Sequence, residues 1–359
     1  MKAVAFTPAA PALIAAVLFG VSTPLAKVLL GEVDPVVLAA LLYLGCGAGV
    51  AVFKLSGHLA GTVGRGGSAE ARLRGRDLPW LAAAVAAGGV AAPIVLLVGL
   101  LHTPAATASL LLNFEGVATA LIAAAAFREA LGRRVWAAVA LVTAASVLLS
   151  WEFNGRWGVS WGALGILAAC ALWGADNNFT RHIAAKDPLV IVTVKGFVAG
   201  AVSLALALAL GKPFPAWTAV AGAMLLGAFS YGLSLVFFVL ALRGLGAART
   251  GGLYGIAPFA GAAMSFVIFR ESPHGLFWVS LPVMAAGAYL LLKEVHAHPH
   301  THEAMEHEHG HRHDDGHHEH DHHPADPPLV DSWHSHPHRH EEFAHAHPHT
   351  PDLHHRHRH

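Results

Sequence analysis

Charge is scarce in this chain: Asp, Glu, Lys and Arg make up 13% of it, against roughly 25% in soluble globular domains. With 55% hydrophobic residues, that excludes a water-soluble fold for most of the 359 positions. Cysteine is nearly missing as well. Cys46 and Cys170 both fall inside apolar runs, so they read as buried small hydrophobes and no disulfide framework is available. No glycine-rich loop leads into Lys-Ser or Lys-Thr, so the chain alone has no phosphate cradle for an ATP-driven step. Without a catalytic constellation, the chain is read as a non-enzyme. Basic residues between Lys54 and Arg76 form a short stretch where anionic inner-leaflet lipid would attract them, and no nucleic-acid partner is expected.

Long apolar runs fill the space that charge leaves empty. Spans of ~20 apolar residues suffice to cross ~30 Å of hydrocarbon. Ten can be placed, near residues 9–30, 35–54, 79–101, 104–126, 134–151, 160–181, 188–210, 216–241, 247–269 and 275–293. Runs of this length are helices, because a helix satisfies its own backbone groups in lipid. Lys2 precedes the first run as in a signal peptide, but the run is long enough to span and is read as the first anchor. With the N-terminus inside, fourteen Lys and Arg residues fall on inner segments and three (Arg156, Lys212 and Arg270) on outer ones. That bias puts both termini in the cytoplasm of a multi-pass protein of a bacterial-type plasma (inner) membrane.

The chain also repeats itself. Phe127-Arg128-Glu129 closes the fourth span and Phe269-Arg270-Glu271 the ninth, 142 residues later. Phe19-Gly20 of span one matches Trp173-Gly174 of span six, and Lys27 matches Arg181. Each half holds five spans, an odd number, so the halves should be inverted relative to each other. That is a transporter architecture, with a site near the midplane where the halves meet. The expected fold is all-α integral membrane: ten transmembrane helices in two inverted five-helix repeats, 9–151 and 160–293, followed by a tail from 295 to 359.

Taken together, the run Phe19-Gly20-Val21-Ser22-Thr23-Pro24-Leu25-Ala26-Lys27, the two Phe-Arg-Glu closures and Trp173-Gly174 resemble the EamA type of the drug/metabolite transporter (DMT) superfamily. The resemblance covers residues 9 to 293. It is closest to a subgroup with Asn-Phe-Glu-Gly at Asn113 to Gly116, Asp176-Asn177-Asn178, and a His-rich C-terminal tail. It implies movement of small solutes by alternating access, often export, without naming a substrate. There are departures. Glu115-Gly116 stand where the family commonly has a mid-helix proline, a role that Pro258 keeps in the second half. Tyr43 stands where many relatives carry a base, and Lys195 keeps that base in the second half.

Ionisable groups inside spans are functional candidates, since each costs at least ~2.5–3.5 kcal/mol at the bilayer centre. Glu115 lies eleven residues from either end of span four. It is read as a carboxylate that loads a proton or cation, because removal from water disfavours its charged form. Its alternative role is a packing charge neutralised by Lys195. Asn113 sits two positions before it. Asp176, Asn177 and Asn178 spread over 200° of span six and cannot all face one neighbour, so a cap or broken turn is expected there. An Asp176–Lys195 pair is geometrically plausible. Tyr254 completes the transport-site candidates.

The tail holds 24 of the 28 histidines, with 12 acids against 4 arginines. His296, His298 and His300, then His334, His336 and His338, then His345, His347 and His349 are three copies of His-x-His-Pro-His. His307, His309, His311, His313, His317, His318, His320 and His340 lie among them. With few aliphatic residues the tail cannot bury a core, and it is expected to be disordered without a ligand. In extended chain each copy offers three imidazoles on one side, suited to Zn, Ni, Co or Cu. No resident cofactor is required. Two readings follow: a transporter of a small organic solute with the tail as accessory, or a divalent-metal transporter using Glu115 and Asp176. A membrane metal sensor is a third, weaker reading. The partners are then the solute or metal ion and the lipid bilayer, and a homodimer stays open.

Overall fold

The computed structural model describes residues 9–59, 73–127, 131–152, 158–183, 186–245, 253–270, 273, 275–292, 296–302, 305–312, 333–340 and 343–349. Through residue 292 it is almost wholly helical. Among the described residues seven helices are long and apolar enough to cross a membrane: Ala10–Leu29, Pro35–Ser56, Gly75–Leu101, Ala105–Phe127, Arg133–Ser150, Pro188–Ala209 and Trp217–Phe238. Ten spans were expected. At the sixth lies a 21-residue helix, Trp161–Arg181, whose Asp176, Asn177 and Asn178 dilute its hydropathy. At the ninth and tenth lie the shorter apolar helices Ala257–Phe269 and Gly275–Leu290.

Several spans are interrupted, and the interruptions recur. The first is α1 (Ala10–Gly20) followed by α2 (Ser22–Leu29), and the second is α3 (Pro35–Leu59). The third runs as α4 (Leu78–Ala84), a π-helical turn at Val85–Ala91, and α5 (Ala92–Leu101). The fourth breaks at Leu112 and Asn113 into α6 (Ala105–Leu111) and α7 (Phe114–Phe127). Then come α8 (Arg133–Ser150), α9 (Trp161–Arg181) and α10 (Pro188–Ala209). The eighth is α11 (Trp217–Leu226), a second π-helical turn at Gly227–Leu233, and α12 (Ser234–Leu245). Last are α13 (Ala257–Phe269) and α14 (Gly275–Leu292). The two π turns begin 142 residues apart, at Val85 and Gly227. The turn at Gly255–Ile256 before α13 likewise follows the break at Leu112–Asn113 in span four, one residue off that spacing. Such turns free a carbonyl from the helical ladder and often mark functional positions.

Small residues let these helices touch, as packing in lipid requires. A Cβ on Gly196 of α10 would lie 2.6 Å from the Gly47 nitrogen of α3, so the two backbones cross in contact. These equivalent helices run antiparallel, which the ion pairs at both ends make plain. Asp34, before α3, meets Lys212, after α10, at 3.0 Å, and Lys54, late in α3, meets Asp187, before α10, at 2.7 Å. Asp34 and Asp187 also each accept a backbone N–H two residues on, from Val36 and Leu189. Other contacts come in matching pairs: Gly20 of α1 lies on Ala257 and Ala260 of α13, and Gly174 of α9 lies on Ala118 and Thr119 of α7. Leu38, Leu42, Leu97, Leu100, Leu111 and Ile166 fill the largest core cluster. Trp161 and Trp217, at helix starts that the charge bias places outside, are exposed where an interfacial aromatic belt would stand.

β1 (Trp151–Glu152) and β2 (Gly158–Val159) pair antiparallel before α9. The tail corrects an expectation. Expected to be disordered, it contains β3 (His296–His302) antiparallel to β6 (Phe343–His349), and β4 (Met305–Arg312) antiparallel to β5 (Trp333–His340). Missing aliphatic residues argued against a core, but pairing two strands satisfies backbone groups and needs only the period-two pattern that His-x-His supplies. Residues 313–332 and 350–359, with His313, His317, His318 and His320, lie outside the described residues.

Candidate functional site

Glu115 stands on the first turn of α7, immediately after the break in span four. Leu110 O, at that break, is satisfied by the Asn113 amide at 3.0 Å, so Asn113 serves the turn. From α9, the Asn177 amide donates to Glu115 Oε1 at 2.9 Å and to Thr119 Oγ1 at 3.1 Å. Thr119, one turn beyond Glu115, donates its hydroxyl to the Glu115 carbonyl at 2.8 Å. Asn178, buried, donates to the Thr119 carbonyl at 3.1 Å and to the Gly174 carbonyl at 2.8 Å. This meeting of α7 and α9 depends on Gly174, where a Cβ would lie 2.8 Å from the Thr119 nitrogen.

Asp176 points the other way around α9. Its Oδ2 pairs with Lys195 Nζ of α10, and its Oδ1 accepts from the Thr180 hydroxyl at 3.0 Å. The side chain presses on Gly88 in the first π turn, where no Cβ would fit beside the carboxylate. The carbonyl of that same Gly88 receives two donors, the Tyr43 hydroxyl at 2.6 Å and the Trp173 indole N–H at 3.0 Å. A π turn leaves such a carbonyl without its helical partner, and a buried orphan would cost about 1–3 kcal/mol. Tyr43 and Lys195, at matching places in the two halves, both approach Gly89.

An aromatic row continues from there. Tyr43 lies 6.1 Å from Tyr231 of the second π turn, Tyr231 lies 5.8 Å from Phe19, and Phe19 lies 5.7 Å from Tyr254. Tyr254 also meets the Phe238 ring edge at 4.8 Å. Residues of both halves alternate along it, with polar hydroxyls set in apolar rings, as a pocket for a small organic molecule would need.

Several expectations change shape here. Glu115 takes its hydrogen bond from Asn177, and the Lys195 ammonium belongs to Asp176. Helix α9 is not broken at Asp176-Asn177-Asn178. Each of the three finds a separate neighbour: Lys195, Glu115 with Thr119, and the Thr119 carbonyl. Among the described residues the interruptions fall at Val21, at the two π turns, at Leu112–Asn113 and at Gly255–Ile256. Thr119, Thr180 and Gly88 were not singled out, and Trp173 was named only as part of the repeat and the resemblance, not as a site residue. Thr119 and Thr180 sit four residues after Glu115 and Asp176, a helical spacing that would have found them. Among the described residues no group of three His, Cys, Asp or Glu side chains could hold a metal ion.

The EamA-like transporter family matches this chain over residues 9–151 and again over 160–293. An uncharacterized transporter of Methanothermobacter thermautotrophicus is 30% identical over 291 residues, covering 77% of this chain and 83% of that protein. A probable terminal-alkyne amino-acid exporter of Streptantibioticus cattleyicolor is 30% identical over 257 residues, covering 68% of this chain and 84% of its own. One crystal structure shares the fold at a TM-score of 0.56 and 20% identity, over 79% of this chain and 96% of that one.

Proposed function

The chain belongs to the EamA-like transporter family, and from that premise we propose that it carries a small organic solute across the membrane by alternating access. The observation that carries this reading is Glu115. A carboxylate of the first half, set at a helix break, is held by Asn177 of the second half, so relative movement of the halves must remake the site. Ten spans in two inverted repeats fit the antiparallel α3 and α10, the π turns 142 residues apart and the exchanged contacts of Gly20 and Gly174. Both termini then face the cytoplasm of a bacterial-type inner membrane. Glu115, with Asn177 and Thr119, receives a hydrogen-bond donor or cationic group of the solute. The Tyr43–Tyr231–Tyr254 row meets its apolar part, and Asp176–Lys195 holds α9 against α10. Asn113 and Asn178 shape the backbone around the site. An amino acid is the solute class to test first, because one relative's name is that of an amino-acid exporter.

The metal-transport reading is weaker in this geometry, since Asp176 spends its charge on Lys195 and leaves Glu115 as a lone carboxylate. The tail's role is accessory: it binds divalent Zn, Ni, Co or Cu. The test is flux into proteoliposomes of radiolabelled neutral amino acids, propargylglycine among them, and of radioactive Ni2+. Saturable amino-acid flux that Glu115→Gln abolishes supports the proposal. Ni2+ flux that disappears in Glu115→Gln, with no amino-acid flux, overturns it in favour of metal.

A further inference from the structure

Helices α3 and α10 cross in contact at Gly47 and Gly196, and from there toward Lys54 and Asp187 a groove opens between them. Each helix gives it one face at helical spacing: Ala51, Lys54 and Leu55 from α3, and Val190, Thr193 and Val194 from α10. Its volume is about 310 Å³. Thr193 donates its hydroxyl to the Leu189 carbonyl at 2.7 Å, so the walls present methyl and methylene groups.

The mouth of the groove is polar. Lys54 Nζ meets Asp187 Oδ2 there at 2.7 Å, with the two side chains 28% and 24% exposed. Lys54 begins the basic stretch that runs to Arg76, but Asp187 matches its charge, so this end of the groove is neutral. Neither group is saturated among the described residues. A carboxylate has about four lone-pair sites and an ammonium three N–H donors. Asp187 Oδ1 accepts from the backbone of Leu189 at 2.9 Å and of Val190 at 3.3 Å, and Lys54 takes one site more. The pair also stands at the membrane boundary: the apolar span of α3 ends at Ser56 and that of α10 begins at Pro188. The groove therefore leads from headgroup level into hydrocarbon.

We propose that this groove is a lipid site, holding one acyl chain of a phosphatidylethanolamine whose phosphate accepts from Lys54 and whose ammonium donates to Asp187. The charges decide the headgroup. Phosphatidylglycerol brings a net negative charge that a neutral pair does not attract, and phosphatidylcholine has no N–H to give Asp187. A second copy of the chain fits poorly, since protein interfaces take roughly 20–30 residues a side and six line the groove. The bound lipid wedges between one helix of each half, at the end where those helices part. This holds whichever solute the bundle carries.

Native mass spectrometry of the full-length protein in detergent, with equimolar phosphatidylethanolamine, phosphatidylglycerol and phosphatidylcholine of identical chains, tests this. The unaltered protein should retain one phosphatidylethanolamine about tenfold over either competitor, the effect of one hydrogen bond to a charged group. Val194→Phe fills the groove and should lose that lipid, and Ala51→Leu, a smaller change on the opposite wall, should do the same. Unchanged melting in lipid-free detergent separates lost binding from a lost fold. Lys54→Gln/Asp187→Asn removes both charges at once; it should keep a bound lipid and lose the preference over phosphatidylcholine. Equal retention by the unaltered protein and both groove variants, or a preference for phosphatidylglycerol, overturns the proposal. So does a preference for phosphatidylethanolamine undiminished in the double variant. A lipid-free dimer that Val194→Phe dissociates overturns it in favour of a second copy.

Discussion

Replacing Asp176 with Asn removes a negative charge from the interior while keeping the shape and the acceptor that Thr180 uses. What it leaves behind decides the outcome. Lys195 loses the carboxylate it faces, and its side chain is only 17% exposed while that of Asp176 is 6% exposed. Removing one member of a buried pair costs about 3–5 kcal/mol, because the other stays charged and poorly solvated. The residual exposure of Lys195 puts this case near the lower end, at roughly 3 kcal/mol. Lys195→Met should cost a similar amount, leaving Asp176 buried against Gly88 with only Thr180 as donor. The double variant Asp176→Asn/Lys195→Met buries no unpaired charge. It should be more stable than either single variant, with a coupling of about 2 kcal/mol in a double-mutant cycle. The assay is unfolding of the purified protein in detergent, all four forms side by side. Additive losses would show that the two charges do not neutralise each other and would remove the clamp between α9 and α10.

Glu115→Gln keeps the Asn177 hydrogen-bond partner and removes the charge, so it should fold with near-native melting temperature yet abolish amino-acid flux in proteoliposomes. Gly174→Ala should cost about 1–3 kcal/mol by forcing α9 off the Thr119 backbone, and flux should fall with it, read from melting and transport on one preparation. Tyr43→Phe and Trp173→Phe each leave one donor on the Gly88 carbonyl; only the double variant orphans it, so it should lose about 1–3 kcal/mol beyond the sum of the singles. In cells at matched expression, protein-dependent Zn or Ni content should vanish on truncation after Lys293 and persist in Glu115→Gln. The reverse pattern would mean that the bundle itself moves metal.

The membrane class followed from composition, because apolar runs of ~20 residues admit no other solvent, and the repeat was visible as matched residues in the two halves, Phe127 with Phe269 and Phe19 with Trp173. Glu115, Asp176, Asn177 and Lys195 stood out for a similar reason: a polar group inside an apolar run is costly wherever the chain takes it. Which of them meet is a different matter. Helical periodicity alone let Lys195 pair with Glu115 or with Asp176, and only the packing of α9 on α7 at Gly174 and on the first π turn at Gly88 assigned Asn177 to one and Lys195 to the other. The breaks were misplaced on α9 because three adjacent polar residues look like a disrupted turn until each is seen to have a different neighbour. Helices that touch at glycine bring together residues far apart in the chain, and no local pattern encodes the angle at which they cross. The tail shows the same division: its composition, poor in aliphatic residues, argued for disorder, while the antiparallel pairing of β3 with β6 exists only once residues 296 and 349 are brought together.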